Sequence, residues 1–327
     1  MSKALLLIHG FLTGADDWDV LLPYLKPLYD KIEVFRQPGH ERAGDKPHYK
    51  DFTEPAVYAA MDVALDKLAD CDRVDVLGHS MGGGVAAYAC AKLKNVGRAV
   101  MYAPAFKYPR TDILLKQNAV AKKLGAMAKS CPDEALAAAL EKRADCVRDT
   151  FDAAMQIFFR RLLPHWSLHN TMTFMRVMAE ARKYLPAVTC PLCVVWGDLD
   201  ELIPLSAVKQ VTEESGTKEI YFLRYPDDDH ALIYLGNVPR LARDTLCFLG
   251  GGDLLETESD KGEERACYRI VKGDAGSRFV TVTADVRGVS GSGRDVKEYR
   301  RTNTATYTDG GAEFFRRIAE ADAATTV

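Results

Sequence analysis

The stretch Val74–Leu93 reads VDVLGHSMGGGVAAYACAKL and has an unusual centre for a junction between a strand and a helix. An apolar run leads into GHSMG (78–82), and a run of small residues typical of a tightly packed helix follows. Glycines two positions to either side of Ser80 remove Cβ atoms that would collide with the neighbouring strand and helix. We therefore expect Ser80 on a sharp, strained turn that projects its hydroxyl clear of a sheet.

The surrounding chain alternates short apolar runs with helical patterns. The patterns at 16–29, 53–69 and 82–94 predict helices. The six apolar runs that end on turn signals are KALLLIHG (3–10), KIEVFRQPG (31–39), RVDVLGHS (73–80), GRAVMYAPA (97–105), CPLCVVWGD (190–198) and KEIYFLRYP (218–226). Strands and helices taking turns predict an α/β protein with a mainly parallel sheet of about six strands and helices on both faces.

The alternation stops once, between residues 106 and 186, where only helical patterns occur. An insertion after the fourth strand would lie over the carboxyl ends of the strands, where ligands bind in such sheets. Its apolar side chains either line a substrate pocket or pack the insertion onto the sheet. The candidate pocket residues are Met155, Phe158, Phe159, Trp166, Phe174 and Met175.

A change of composition follows Leu249. GGGDLLETESDKGEE (250–264) is typical of a linker, and the next segment predicts a β-hairpin around Gly-Asp-Ala-Gly, followed by a short C-terminal helix. We predict an α/β core at 1–105 and 187–249, a helical cap at 106–186 and an extension at 250–327. The extension is too polar for a large core of its own, so we expect it to lean on the core, a partner or a second copy.

Charge and composition exclude several classes of protein. A formal net charge of −3 gives no basic surface for nucleic acid. No run approaches the roughly 20 apolar residues of a membrane span, and the N-terminal apolar run is too short for a signal peptide. The eight cysteines are scattered, and Cys190 and Cys193 form a CxxC without a second pair. We expect a soluble, cytoplasmic protein with reduced, packed thiols, no metal and no cofactor.

A serine nucleophile needs a base and a group that orients the base. His230 follows the sixth predicted strand, and Asp200 follows the fifth, with Asp198 as an alternative acid. All would lie at the same edge of the sheet as Ser80.

Acyl transfer also needs donors for an oxyanion. Gly10 lets the chain turn so that the backbone N–H of Phe11 faces the site, and the N–H of Met81 at the start of a helix supplies the second donor. We expect His9 to hold this loop and not to act as a base.

These motifs, HGFLTG, GHSMGG, GDLDELIP and DDDH in that order, resemble the α/β-hydrolase superfamily over about residues 3–249. Carboxylesterases and monoacylglycerol-lipase-like enzymes are the closest branch in layout. The family pattern G-x-x-D-x-x-x-P aligns with Gly197, Asp200 and Pro204, which favours Asp200 over Asp198 as the acid. The PGHERAG loop is similar to a Gly-His loop of the same superfamily.

The chain departs from the family in three places. The usual antiparallel strand pair at the start of the sheet is missing, and the extension after Leu249 has no counterpart. Asp229 stands where a glycine commonly precedes the histidine, and this acidic run would raise the pKa of His230 and favour activity at higher pH.

The leading hypothesis is a serine ester hydrolase acting on a small-molecule ester with a short to medium acyl chain or on a monoacylglycerol-like ester. The same residues would serve cleavage of a thioester or a C–C bond, or acyl transfer to an alcohol. A catalytically silent binding protein on this scaffold is the alternative from another class, and self-association through the extension goes with either.

Overall fold

A computed structural model of the chain describes residues 2–40, 48–107, 167–257, 264–274, 278–290 and 297–325, together with isolated positions between 122 and 148. Most of the predicted cap lies outside these residues, including the candidates Met155, Phe158, Phe159 and Trp166. The predicted domain boundaries stay predictions.

One sheet in the order β2-β1-β3-β4-β5-β6-β7-β8-β9 runs through the described chain. The strands are β1 Lys3–Ile8, β2 Lys31–Phe35, β3 Arg73–His79, β4 Val96–Tyr102, β5 Leu192–Gly197, β6 Glu219–Tyr225, β7 Arg265–Lys272, β8 Val280–Ser290 and β9 Lys297–Tyr307. Strands β1 to β6 are parallel, and β7 to β9 continue the sheet antiparallel. The predicted α/β class and parallel sheet of six strands are confirmed.

Helices flank the sheet on both faces. Their bounds are α1 Leu22–Leu25, α2 Glu54–Asp66, α3 Met81–Lys92, α4 Leu168–Arg182, α5 Leu205–Glu214, α6 Val238–Gly250 and α7 Ala312–Thr325. Along β1, Leu6 faces one apolar cluster while Leu5 and Leu7 face the other, and all three are fully buried. Burial on both faces explains why the strands are continuous apolar runs.

The prediction of one continuous helix over residues 16–29 is wrong. The segment contains two single 3-10 turns and the four-residue α1. Pro23 and Pro27 each occupy the first or second position of a short turn, where the missing N–H costs nothing, and neither fits a helix interior.

The extension is part of the main sheet. Strand β7 pairs with β6 from Arg224↔Ala266 to Glu219↔Val271, and β8 and β9 follow. Phe315 of α7 lies against Phe222 of β6, with ring centroids 6.1 Å apart. Of the three places considered for the extension, the core is the one it leans on. The predicted hairpin is β7–β8, and β9 was not predicted.

The predicted linker is partly core. Leu254 and Leu255 are buried in the cluster that also holds Phe248. Buried Arg265 of β7 donates to the Leu254 carbonyl and pairs with Asp244 of α6. Because the segment is mostly polar, the sequence did not indicate that these two leucines are buried. Their burial packs the start of the extension against the core.

The described cysteines, Cys71, Cys90, Cys190, Cys193, Cys247 and Cys267, are free thiols. Cys193 is buried in the cluster on one face of the sheet, while Cys190 packs against the cluster on the other face. Within the part of the chain that the structure describes, no helix is long and apolar enough to cross a bilayer.

Candidate active site

Ser80 occupies the sharp turn between β3 and α3 with φ 55° and ψ −118°, a left-handed conformation that costs energy in a residue with a Cβ. A Cβ on Gly78 would collide with the carbonyl of Gly82, and a Cβ on Gly82 with the carbonyl of Ile8. The backbone N–H of Ser80 donates to the carbonyl of Tyr102 at 2.9 Å, which ties the turn to β4. Packing thus enforces the strain.

Three side chains from separate strand ends meet at this turn. Ser80 Oγ lies 2.9 Å from Nε2 of His230, and Nδ1 of His230 lies 2.9 Å from Oδ2 of Asp200. Asp200 is buried, and its other oxygen accepts the backbone N–H groups of Leu202 and Ile203 at 2.8 and 2.7 Å. In this geometry the Nδ1–H of His230 donates to the carboxylate and Nε2 accepts from the serine hydroxyl.

The alternative acid, Asp198, points elsewhere. Both of its carboxylate oxygens accept from Arg224, through Nε and Nη2, at 2.9 Å each. A carboxylate held in such a fork is committed to the arginine. The structure therefore brings together Ser80, His230 and Asp200, the set that the family pattern favours.

Two further buried carboxyls, those of Glu201 and Asp229, lie near His230. Burial and the charges of Asp229 and Asp200 raise the pKa of Glu201 to about 8. Burial raises the pKa of Asp229 to about 7, even though Asp229 accepts the N–H of Ala231 at 2.8 Å. One oxygen of each carboxyl has no hydrogen-bond partner.

These carboxyls raise the basicity of His230. Burial lowers the pKa of the imidazole, but the charge and hydrogen bond of Asp200, followed by Glu201 and Asp229, outweigh burial and raise the pKa to about 9. The direction agrees with the expectation from the acidic run. Glu201, however, contributes as well, while Asp228 pairs with Arg240 at 2.8 Å.

The loop after β1 lies against the serine. A Cβ on Gly10 would lie 3.4 Å from the Ser80 Cβ, so the loop that contains Phe11 packs against the serine turn. Met81 is the first residue of α3, and N–H groups at a helix start have no acceptor within the helix. The residues expected to donate to an oxyanion thus flank Ser80.

Two histidines fix this loop. His9 is buried, its Nε2 accepts the N–H of Gln37 at 3.1 Å and its Nδ1–H donates to the carbonyl of Gly10 at 2.9 Å. His40, from the PGHERAG segment, accepts the N–H of Leu12 at 3.0 Å. Burial lowers the pKa of both rings, to about 3 for His40, which keeps them neutral and suited to these bonds.

Of the six candidate pocket residues, the structure describes two. Phe174 of α4 is buried, and its ring centroid lies 4.9 Å from that of Phe11. Met175 is 37% exposed on the same helix. Of these two described residues, Phe174 is the one in contact with Phe11.

Sequence reasoning missed Asp17, His79 and Glu201 as parts of this site. His79 Nε2 lies 2.8 Å from the carbonyl oxygen of His230, and its Nδ1 lies 3.8 Å from Asp17. The sequence did contain a signal for His79, because it directly precedes Ser80. Asp17 carried no signal, because its importance comes from burial. Among the described residues, no group of three or more His, Cys, Asp or Glu side chains is arranged to hold a metal.

A family model described as "Alpha/beta hydrolase family" matches residues 5–247, from β1 into α6. The chain belongs to the alpha/beta hydrolase family. The match covers every strand that contributes to the site and ends before the extension. It confirms the family resemblance indicated by the four motifs.

Relatives of this family member agree with the branch indicated by the motifs. A monoacylglycerol lipase of Mycolicibacterium smegmatis (strain ATCC 700084 / mc(2)155) is 29% identical over 192 residues, which are 58% of this chain and 66% of that protein. The matched stretch thus spans just under two thirds of the relative.

Solved structures share the fold at low identity. A metagenome-derived lipolytic enzyme aligns with a TM-score of 0.54 and 15% identity over 76% of this chain and 94% of its own. The monoacylglycerol lipase of Paleococcus ferrophilus aligns with a TM-score of 0.52 and 16% identity over 76% and 94%. At such identities the likeness shows the fold alone.

Proposed function

We propose that this protein is a serine hydrolase that cleaves carboxylic esters of short to medium acyl chains, monoacylglycerol-like esters included. The observation that carries the proposal is the unbroken hydrogen-bond chain from Ser80 through His230 to Asp200, with 2.9 Å at both links. The strained serine turn and the similarity to a protein named monoacylglycerol lipase support the same conclusion.

In the first half-reaction, Ser80 Oγ attacks the ester carbonyl carbon as its proton passes to Nε2 of His230. Asp200 keeps Nδ1 protonated and stabilises the imidazolium. The backbone N–H groups of Phe11 and Met81 donate to the oxyanion. The C–O bond to the alcohol then breaks, and the alcohol leaves with the proton from His230.

In the second half-reaction, water replaces the alcohol. His230 takes a proton from the water, whose oxygen attacks the acyl carbon on Ser80. The bond to Ser80 breaks, the serine recovers its proton, and the carboxylic acid leaves. Phe11 and Phe174 supply apolar surface beside the acyl group.

The test is covalent labelling with a fluorophosphonate, together with hydrolysis of p-nitrophenyl esters from acetate to palmitate. The wild type should be labelled and should hydrolyse the shorter esters, and Ser80→Ala should lose both activities. Ser206→Ala is the matched control, since Ser206 is an exposed residue of α5. Labelling or hydrolysis that survives in Ser80→Ala would overturn the proposal, and a wild type that reacts with neither probe would favour a silent binding protein.

A further inference from the structure

We propose that Asp17 and His79 form a buried pair that positions two loops of the site, the loop of His230 and the loop of Phe11, relative to Ser80. The inference rests on the proposed ester hydrolysis, and it assigns both residues a positioning role for that reaction.

The first contact is on the His230 loop. His79 ends β3 directly before Ser80 and is buried. Its Nε2–H donates to the backbone carbonyl of His230 at 2.8 Å, and the two rings lie 5.0 Å apart. Between β6 and α6 the backbone of His230 belongs to no strand or helix. The bond from His79 thus ties this loop to the serine turn.

The second contact is on the Phe11 loop. Asp17 Oδ2 accepts the hydroxyl of Thr13 at 2.5 Å and the backbone N–H of Gly10 at 3.3 Å. The same oxygen lies 3.8 Å from Nδ1 of His79. The carboxylate oxygen that accepts from the loop expected to bind the oxyanion therefore also faces the histidine that holds the His230 loop.

The charge of Asp17 suits this role. Burial opposes ionisation, but the contact with His79, followed by His9 and Thr13, outweighs it and lowers the pKa of Asp17. An ionised carboxylate without exposure to water is costly unless partners surround it. Among the described residues, Oδ2 accepts from Gly10 and Thr13 and faces His79, while Oδ1 has no hydrogen-bond partner.

A positioning role has a measurable consequence. His230 Nε2 must stay near 2.9 Å from Ser80 Oγ for proton transfer. A displacement of about 1 Å in such a geometry costs on the order of 100-fold in rate. Loss of the His79 bond should therefore lower kcat and leave KM nearly unchanged, because the acyl-binding surface is not altered.

The experiment compares His79→Gln with His79→Leu. Both variants lose the imidazole ring, but glutamine carries an amide N–H at about the distance of Nε2 and leucine carries none. We expect kcat on p-nitrophenyl butyrate to fall about 100-fold in His79→Leu and to recover to within about fivefold of wild type in His79→Gln. KM should stay within about threefold in both, and their Tm values should be similar. His169→Leu, at an exposed position of α4, controls for the substitution itself.

Equal kcat losses in the glutamine and leucine variants, or an unchanged kcat in His79→Leu, would overturn the inference. Should His79→Leu not fold, Asp17→Asn decides, since it keeps an oxygen for Gly10 and Thr13 but removes the charge facing His79. It should lower kcat about tenfold at unchanged KM, and wild-type kcat would overturn the inference. A wild type that resists fluorophosphonate labelling would instead remove the proposed hydrolysis, so the two failures are distinct.

Discussion

Ser80 stands on a backbone that its own side chain disfavours, and two glycines make this conformation possible. The nearest atoms around Gly82 are main-chain atoms of Ile8 and His9, which cannot move without shifting β1. The glycine spacing seen in the sequence therefore reports a real steric limit. At this position the local sequence and the tertiary packing demand the same residue.

Gly82→Ala tests this limit. The added Cβ would press on the backbone of β1, and we expect a loss of about 3 kcal/mol or more in the free energy of unfolding. Gly250→Ala is the control, since the end of α6 leaves open space for a Cβ and alanine favours the helix. Urea titration measures both. A Gly82→Ala protein as stable as wild type would contradict the steric argument.

The carboxyls around His230 determine the pH dependence. His230 must be neutral to accept the serine proton, and its pKa is raised to about 9, so activity should increase with pH up to about 9. Asp229→Asn removes one negative charge and retains an oxygen for Ala231. The pKa of His230 should fall, and the acidic limb of the kcat/KM profile should move to lower pH.

The control for the pH profile is Asp274→Asn, which neutralises an exposed aspartate paired with Lys218. It should leave the profile in place. A profile whose acidic limb stays at the wild-type pH in Asp229→Asn would show that Asp229 does not act on His230.

The sequence predicted the residues of the site whose roles come from chain position. Ser80, Asp200 and His230 each follow a strand, and the carboxyl ends of parallel strands meet at one edge. Asp17 and Glu201 were not predicted as parts of the site, because their effect depends on burial and on the charges of residues distant in sequence. Neither property can be inferred from the local pattern of a polar segment.

Among the elements, α4 is the helix of the predicted cap that the structure describes in full. Tyr58 of α2 donates to the carbonyl of Val177 at 2.7 Å, which fixes α4 beside the sheet. Phe174 then points toward Phe11, while Met175 on the same helix is partly exposed. The two neighbours should contribute unequally to acyl binding.

Phe174→Ala should change acyl-chain preference. Removing the ring beside Phe11 opens space next to the acyl group, so kcat/KM for p-nitrophenyl decanoate relative to butyrate should shift by about 10-fold, a difference of roughly 1.4 kcal/mol. Met175→Ala should shift the same ratio by less than about threefold. Equal effects of the two substitutions would show that burial against Phe11 does not decide chain preference.

The elements of the core were predictable because each parallel strand is an apolar run. The third strand of the extension was not, because β9 consists mostly of charged and polar residues and is exposed along most of its length. Its strand structure comes from pairing with β8 over eleven residues. Backbone pairing at the edge of a sheet leaves no local hydrophobic pattern in the sequence.

At the scale of the whole molecule, the extension is part of the hydrophobic core and not a separate unit after it. Val280 and Val282 of β8 and Phe314, Phe315 and Ile318 of α7 belong to the same buried cluster as the strands of the parallel sheet. Self-association through the extension remains a prediction, to be measured by size-exclusion chromatography of the full chain.

A chain ending at residue 257 should fold poorly. It would lack β7, leave β6 as an unpaired edge and expose apolar residues such as Phe222. We expect a large loss of soluble protein and a lower Tm than wild type. A soluble truncated chain with wild-type Tm and ester hydrolysis would show that the extension is an independent appendage.

The outermost strand also carries charges that oppose pairing of its edge with a second sheet. The exposed edge β9 carries Lys297 and Arg301, and like charges brought together by a second molecule would repel. Threonine or valine at these positions would turn the edge into a template for fibril growth. These basic side chains thus oppose edge-to-edge pairing at the strand of the sheet most remote from β3 and Ser80 on that side.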